Sequence, residues 1–354
     1  MITCTLDLYT DYLLSSTGPT TATGLSRLLD GALSHDHVTR WLSQTTYGPA
    51  DIWRQAKPLI RQAEARRPAG EFAVLIVDDS VLEKAHTYAN ELICPHWDHS
   101  QPRYIKGLNF VSLRYQAGEL ALPIAVELVR KTVPVYQPKT QKTSYQSPFT
   151  KNEYLQQMLR VAQQQVAYRY LLADSWYASA ENMTLVRALG HHFVFALESS
   201  CTVALSTAAR AAGHFQPVQS LVFPDTQPLR VYLRAVQQAV LVTRQVLPNQ
   251  DGSQGILYLV SSDTDLDQTQ LTTIYQRRWK VEEYHKSLKQ NASMAKSPTK
   301  NLTTQATHFF VAVLAYTKLE VLKLKCGIGH FRLKAQLYTV GLKAMYHQLT
   351  LLRA

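Results

Sequence analysis

The 354-residue chain has only four cysteines, Cys4, Cys94, Cys201 and Cys326, and no CxxC pair among them. So few and so widely spaced, they point away from a disulfide framework, and a reduced, cytosolic compartment fits best. The N-terminus "MITCTLDLYTDYLL" has no basic segment followed by a long apolar core, so no signal peptide is expected. Long apolar runs are absent too. The most apolar stretch, "FFVAVLAY" at 309–316, is bracketed by His308 and Lys318. It is too short to cross a bilayer and reads as a buried helix, so no membrane partner is expected. No internal repeat is visible. Acid is in short supply: 26 Asp and Glu against 37 Lys and Arg leave a net charge of +11. The basic residues are scattered along the chain, which favours a folded groove for a polyanion over a basic tail. The composition, 46% hydrophobic and 10% aromatic, supports a sizeable core and excludes a disordered chain.

The first 70 residues read as helical. "GLSRLLDGALSHDHVTRWLSQ" (24–44) holds two short helical patterns separated at Gly31. Ser34 caps the second, Leu33 staples onto Val38, and Val38, Trp41 and Leu42 make its buried stripe, leaving Thr39 and Arg40 free. This is a candidate helix-turn-helix, with a plain helical bundle as the alternative. "AEARRPAGE" (63–71) reads as a linker. From Phe72 the pattern becomes α/β. "FAVLIV" (72–77) reads as a strand covered on both faces, and "YIKGLNFVSLRY" and "LALPIAVELV" as a hairpin turning at Gly118. A helix over 147–167 opens with a Thr150–Glu153 capping box. "RYLLA" (169–173) is a second buried strand, followed by a short helix near 179–189 and a third strand at 191–197. The expectation is a mixed sheet with flanking helices. Residues 200–262 read as a β-rich insertion.

Two acidic clusters fall at strand ends in this reading: Asp78–Asp79–Ser80 after the first strand and Asp174–Ser175 after 169–173. Carboxyl ends of strands in open α/β sheets commonly face a crevice, though Asp and Ser also serve as ordinary terminators and caps. The third acid lies in "IYQRRWKVEEYHKSLKQN" (274–291), a helix expected to start near Asp267 with Gln270 completing its cap. With about 100° of rotation per residue, Arg278 falls at about −60° from Tyr275, Glu282 at about −20°, Lys289 at about −40° and Lys286 at about +20°. One stripe thus carries a phenol, a carboxylate and three cations. A solvated, salt-bridged face would account for the charges but not for the tyrosine. Three carboxylates suit Mg²⁺ or Mn²⁺, and two such ions about 4 Å apart serve phosphodiester chemistry.

The spacing Tyr-x2-Arg-x3-Glu-x6-Lys, here "YQRRWKVEEYHKSLK", resembles the signature of bacterial insertion-sequence DDE transposases of the IS-four superfamily; Trp279 and Lys286 resemble it too. The resemblance covers roughly 70–325. It implies an RNase H-like core (71–330) with a β-rich insertion at about 200–262, an N-terminal helical DNA-binding region (1–70) and a C-terminal tail or helix (331–354). It implies Asp79, Asp174 and Glu282 as catalytic metal ligands for Mg²⁺ or Mn²⁺, two ions in all. Asp79 is preferred because Ser80 is the nearest equivalent of a following Thr; Asp78 stays open. Tyr275, Arg278, Lys286 and Lys289 are expected to contact DNA. The activity implied is cleavage of one strand at a transposon end, then attack of the released 3′-OH on the opposite strand or on target DNA. Double-stranded DNA is the expected partner, held by a homodimer. The alternatives are a nuclease on the same core that only hydrolyses, and a non-catalytic DNA-binding relative. A zinc site at Cys94, His96, Asp98 and His99 is not expected, because ligands so tightly spaced do not reach one tetrahedral ion easily.

Overall fold

The structure, a computed structural model, describes residues 2–98, 102–139, 141–224, 227–234, 236, 238–248 and 251–353. Four helices open the chain: α1 (Leu6–Ser15), α2 (Ala22–Leu28), α3 (His35–Gln44) and α4 (Pro49–Ala65). The first three start on Thr5, Thr21 and Ser34, whose hydroxyls accept backbone N–H groups of the first turn. Leu33 and Val38 are both fully buried, as a staple requires.

The sheet then begins with β1 (Val74–Glu83), β2 (Ile93–Asp98), β3 (Arg103–Ala117) and β4 (Leu120–Leu128). The first strand does not stop before the aspartates. It runs on through them to Glu83, because the long antiparallel β3 supplies a partner for every residue from Val74 to Glu83. β3 and β4 form the expected hairpin, with Gly118 at φ +54° in its turn. A small separate hairpin, β5 (Val133–Gln137) and β6 (Lys142–Gln146), leads to α5 (Lys151–Gln165), which carries the Thr150–Glu153 capping box. Next come β7 (Tyr170–Ala173), α6 (Ala180–Ala188) and β8 (His192–Leu197). β7 lies parallel to β1, and β8 parallel to β7. The core order is thus β4-β3-β1-β7-β8, with β3 alone of its central strands reversed against β1. This is an RNase H-like mixed sheet.

The region expected as an insertion holds β9 (Thr202–Ala204), α7 (Thr207–Ala211), β10 (Gln216–Pro217), β11 (Leu229–Leu233), β12 (Ala239–Pro248) and β13 (Gln254–Ser261). It is β-rich and joins the main sheet, because β13 pairs antiparallel with β8. The chain closes with α8 (Gln268–Gln276), α9 (Lys280–Gln290), α10 (Leu302–Cys326) and α11 (His330–Arg353). "FFVAVLAY" is the buried middle of α10. Among the described residues no helix is long and apolar enough to cross a membrane.

Strand alternation divides the core into two layers. Val74 and Ile76 of β1 point into a cluster with Tyr284, Leu288, Phe309 and Val313 from α9 and α10. Tyr9, Leu13, Leu25, Val38 and Ile52 of the N-terminal helices belong to that same cluster, so those helices share a core with the sheet. Leu75 and Val77 point the other way, onto Leu155 and Leu159 of α5 and Ala56 and Ile60 of α4.

Candidate active site

Alternation carries on through the two aspartates. Asp78 continues the Val74–Ile76 side, facing α9, and Asp79 continues the Leu75–Val77 side, facing α5. The contacts agree. Asp79 Oδ2 is 2.6 Å from the Lys151 ammonium of α5, and its Oδ1 accepts the Tyr177 hydroxyl at 3.1 Å. Asp78 Oδ2 lies 3.9 Å from Nδ1 of His285 on α9, and its Oδ1 accepts the Asp79 backbone N–H.

The parallel register selects the partner of Asp78. Val74 is level with Tyr170 and Ile76 with Leu172, so two residues on Asp78 comes level with Asp174. Tyr170 and Leu172 share the α9-side cluster, which puts Asp174 on the same face as Asp78. Asp174 also caps the following 3₁₀ turn by accepting the Trp176 N–H at 3.1 Å. Electrostatics report the proximity. The Asp78 carboxyl is pushed up to about 7, first by burial, then by the charges of Asp174 and Asp79, against the pull of Arg278. Asp174 is raised as well, by burial foremost and by Asp79, and is pulled down by Arg278. Two partly buried carboxylates that resist ionising side by side, with an all-oxygen donor set, fit a hard divalent cation.

The helix bearing the third acid starts as expected, on Asp267 with its Gln270 box. It is not uniform: Arg277–Trp279 form a 3₁₀ turn between α8 and α9. A 3₁₀ residue turns by about 120° instead of about 100°, so three of them twist the stripe by about 60°. Tyr275, in α8 before the turn, is buried, its hydroxyl pushed up to about 12 by burial, with the Arg278 guanidinium 5.5 Å above its ring. Arg278 is mostly buried and reaches Glu282 at 3.7 Å, while the Glu282 side chain is 72% exposed. Arg278 therefore stands between the aspartate pair, whose ionisation it favours, and the glutamate one turn on. Among the described residues no three His, Cys, Asp or Glu side chains are already gathered as a metal cage. The structure brings Asp78 and Asp174 together, with Glu282 just beyond Arg278.

The remaining stripe residues diverge. Lys289 donates to Ser80 Oγ at 2.9 Å and to the Val81 carbonyl at 3.1 Å, tying α9 to the end of β1. Lys286 is exposed, 5.3 Å over the Phe331 ring. Sequence reasoning passed over His285, Lys151 and Tyr177. His285 is buried against Asp78 and Ser112, and its imidazole is pushed down to about 3, foremost by burial. Only its place three residues after Glu282 could have pointed to it. In the CPHWDH segment, Cys94 Sγ donates to the Asn90 and Glu91 carbonyls at 3.4 and 3.5 Å. His99 lies outside the described residues.

A model of the family described as DDE superfamily endonuclease matches residues 3–219, more than half of the chain. The chain belongs to the DDE superfamily endonucleases. A second family, described as Transposase DDE domain, matches residues 150–318 of this DDE enzyme, the part that carries Asp174 and Glu282. Between them the two matches span the sheet and the glutamate helix, and they mark the chain as a metal-dependent DNA-cleaving enzyme. No curated protein matches it. One solved structure it is similar to is Ciona intestinalis endonuclease V in complex with a 24mer DNA containing an inosine followed by a ribo-adenosine. The identity is 9%, with 64% of this chain and 82% of that chain covered and a TM-score of 0.24.

Proposed function

We propose that this DDE endonuclease is an insertion-sequence transposase of the IS-four type, which cuts transposon ends and joins them to target DNA in the bacterial cytosol. The observation that carries the reading is Asp78 beside Asp174 beyond the parallel β1–β7 register, with Arg278 acting on both and lying 3.7 Å from Glu282. Asp78, Asp174 and Glu282 are the proposed ligands of two Mg²⁺ or Mn²⁺ ions. Asp78 takes the place expected for Asp79, whose carboxylate is on the opposite face and already holds Lys151. The chemistry such ions supply when bound is activation of an attacking oxygen and stabilisation of a leaving one.

The chain's own residues do the rest. Arg278 moderates the repulsion within the aspartate pair, and its buried Nε has no hydrogen-bond partner among the described residues, which leaves a donor for a phosphate oxygen. Glu282, mostly exposed and 3.7 Å from Arg278, is the third acid of the proposed set. Lys286 is the exposed cation for the DNA backbone. Tyr275 and Lys289, expected as DNA contacts, act from beneath: one supports the guanidinium, the other fixes α9 on β1. Two copies pair the two ends. A strand-transfer assay with pre-cut ends and Mg²⁺ tests this. Joined product is expected; hydrolysis with no joining, under conditions where cleavage is active, would leave a nuclease of the same family instead.

A further inference from the structure

Helix α11 projects from the enzyme with one buried residue, His330, in 24. Its base is fixed. His330 Nδ1 is 2.9 Å from Ser287 Oγ, and the Lys334 ammonium donates to the carbonyls of Leu14 and Ser16. Beyond that base the helix leaves Tyr338, Leu342, Met345, Leu349 and Leu352 exposed, each at 41% or more. Together with Phe331, and with Ala335 at the one small position, these recur at alternating spacings of four and three. That is an unbroken coiled-coil seam over three heptads. The neighbouring strip is a poorer seam: it begins at Leu333, already packed on the chain's own core, and is broken by His347.

We infer that this seam is covered by α11 of a second copy, in a parallel, in-register pair. Six large side chains at roughly 100 Å² each amount to about 600 Å² per copy, or about 1,200 Å² in total, the lower bound for a stable interface. Charge permits the pairing. In parallel register the flanking positions match Lys334 with Thr339, Gly341 with Tyr346 and Gln348 with Arg353. No pair of like charges meets, although the helix carries several cations and no acid. Lys343 and the apolar seam lie on different faces. The inference deepens the paired-end reading by naming the surface that holds two copies together, and it requires the dimer to exist without DNA.

Sedimentation of the full chain without DNA, at micromolar concentration, tests it. Twice the 40.0 kDa chain mass is expected. Leu342→Lys with Leu349→Lys should give monomer, with circular dichroism and melting showing that the body stays folded. In a Cys326→Ser background, Met345→Cys should oxidise to a symmetric cross-linked dimer and Val340→Cys, off the seam, should not. A monomeric parent, a dimer untouched by the two lysines, or cross-linking through position 340 in preference to 345 would overturn the inference. Nicking of one isolated end is read in the same samples, so failure of the active-site reading shows there while sedimentation still decides the dimer.

Discussion

Replacing Asp78 by Asn separates the two aspartates of β1 more sharply than any other change. With no metal bound, burial and then the charges of Asp174 and Asp79 push the Asp78 carboxyl up from 3.8 to about 7. Between those values the folded state holds a proton that the unfolded chain releases, so stability falls as pH rises from about 4 to about 7. At 1.36 kcal/mol per unit the cost above pH 7 is about 4 kcal/mol. Asn is nearly isosteric and carries no charge, so it removes that cost. With about 2 °C per kcal/mol for a chain of this size, Asp78→Asn should melt about 5–10 °C higher than the parent at pH 8 in EDTA. Below pH 4, where Asp78 is protonated in both states, the two should converge. The same substitution should cut Mg²⁺-dependent cleavage more than about 100-fold, since even the outer partners of a metal site are worth about 10- to 100-fold. Asp79→Asn, which loses the partly exposed Lys151 pair, should stay within about tenfold of the parent activity. Melting in EDTA across pH 4–8.5, beside a nicking assay, reads both effects. An active Asp78→Asn with a dead Asp79→Asn, or a Tm at pH 8 below the parent's, would refute the reasoning.

Glu282→Gln should abolish cleavage yet shift Tm by no more than about 1 °C, because the side chain is mostly exposed; gel-shift affinity for DNA should stay within a few-fold. Arg278→Met should lower metal-free Tm at pH 8 and have little effect near pH 4, since the guanidinium assists ionisation of both aspartates; a drop equal at both pH values would mean that only packing was lost. Gly107→Ala would place a Cβ 2.4 Å from the Leu82 carbonyl oxygen, in the β1–β3 ladder just beyond Ser80. A loss of about 1–3 kcal/mol in urea unfolding is expected, as for other overpacked positions.

Much of the fold was legible because its signals are local. The runs "VLIV", "LLA" and "HFVFAL" lie in strands, Gly118 turns the β3–β4 hairpin, and both capping boxes, at Thr150 and Asp267, form as expected. What sequence could not supply was set by partners distant in the chain. The extent of β1 past Asp78 depends on β3, and adjacent aspartates look alike until β7 is laid beside them in parallel. Lys289 looked like a free cation until Ser80 and Val81 were brought beneath it. The 3₁₀ turn at Arg277–Trp279 has no marker such as Gly or Pro, so a uniform helix was the natural reading, and the buried position of Tyr275 went unseen. The β-rich character of the insertion is written in its local pattern, but its continuation of the main sheet rests on a ladder between β13 and β8.

A single apolar layer of described residues runs from α1 and α3 through α10 to β1 and ties the N-terminal helices to the strand that carries Asp78. If Thr39 and Arg40 on the outer face of α3 read a DNA sequence, the gap from the base pairs read to the bond broken is a fixed length, like the jaw and blade of a caliper. Adding one base pair between them should move the cut by one nucleotide instead of being absorbed by the protein.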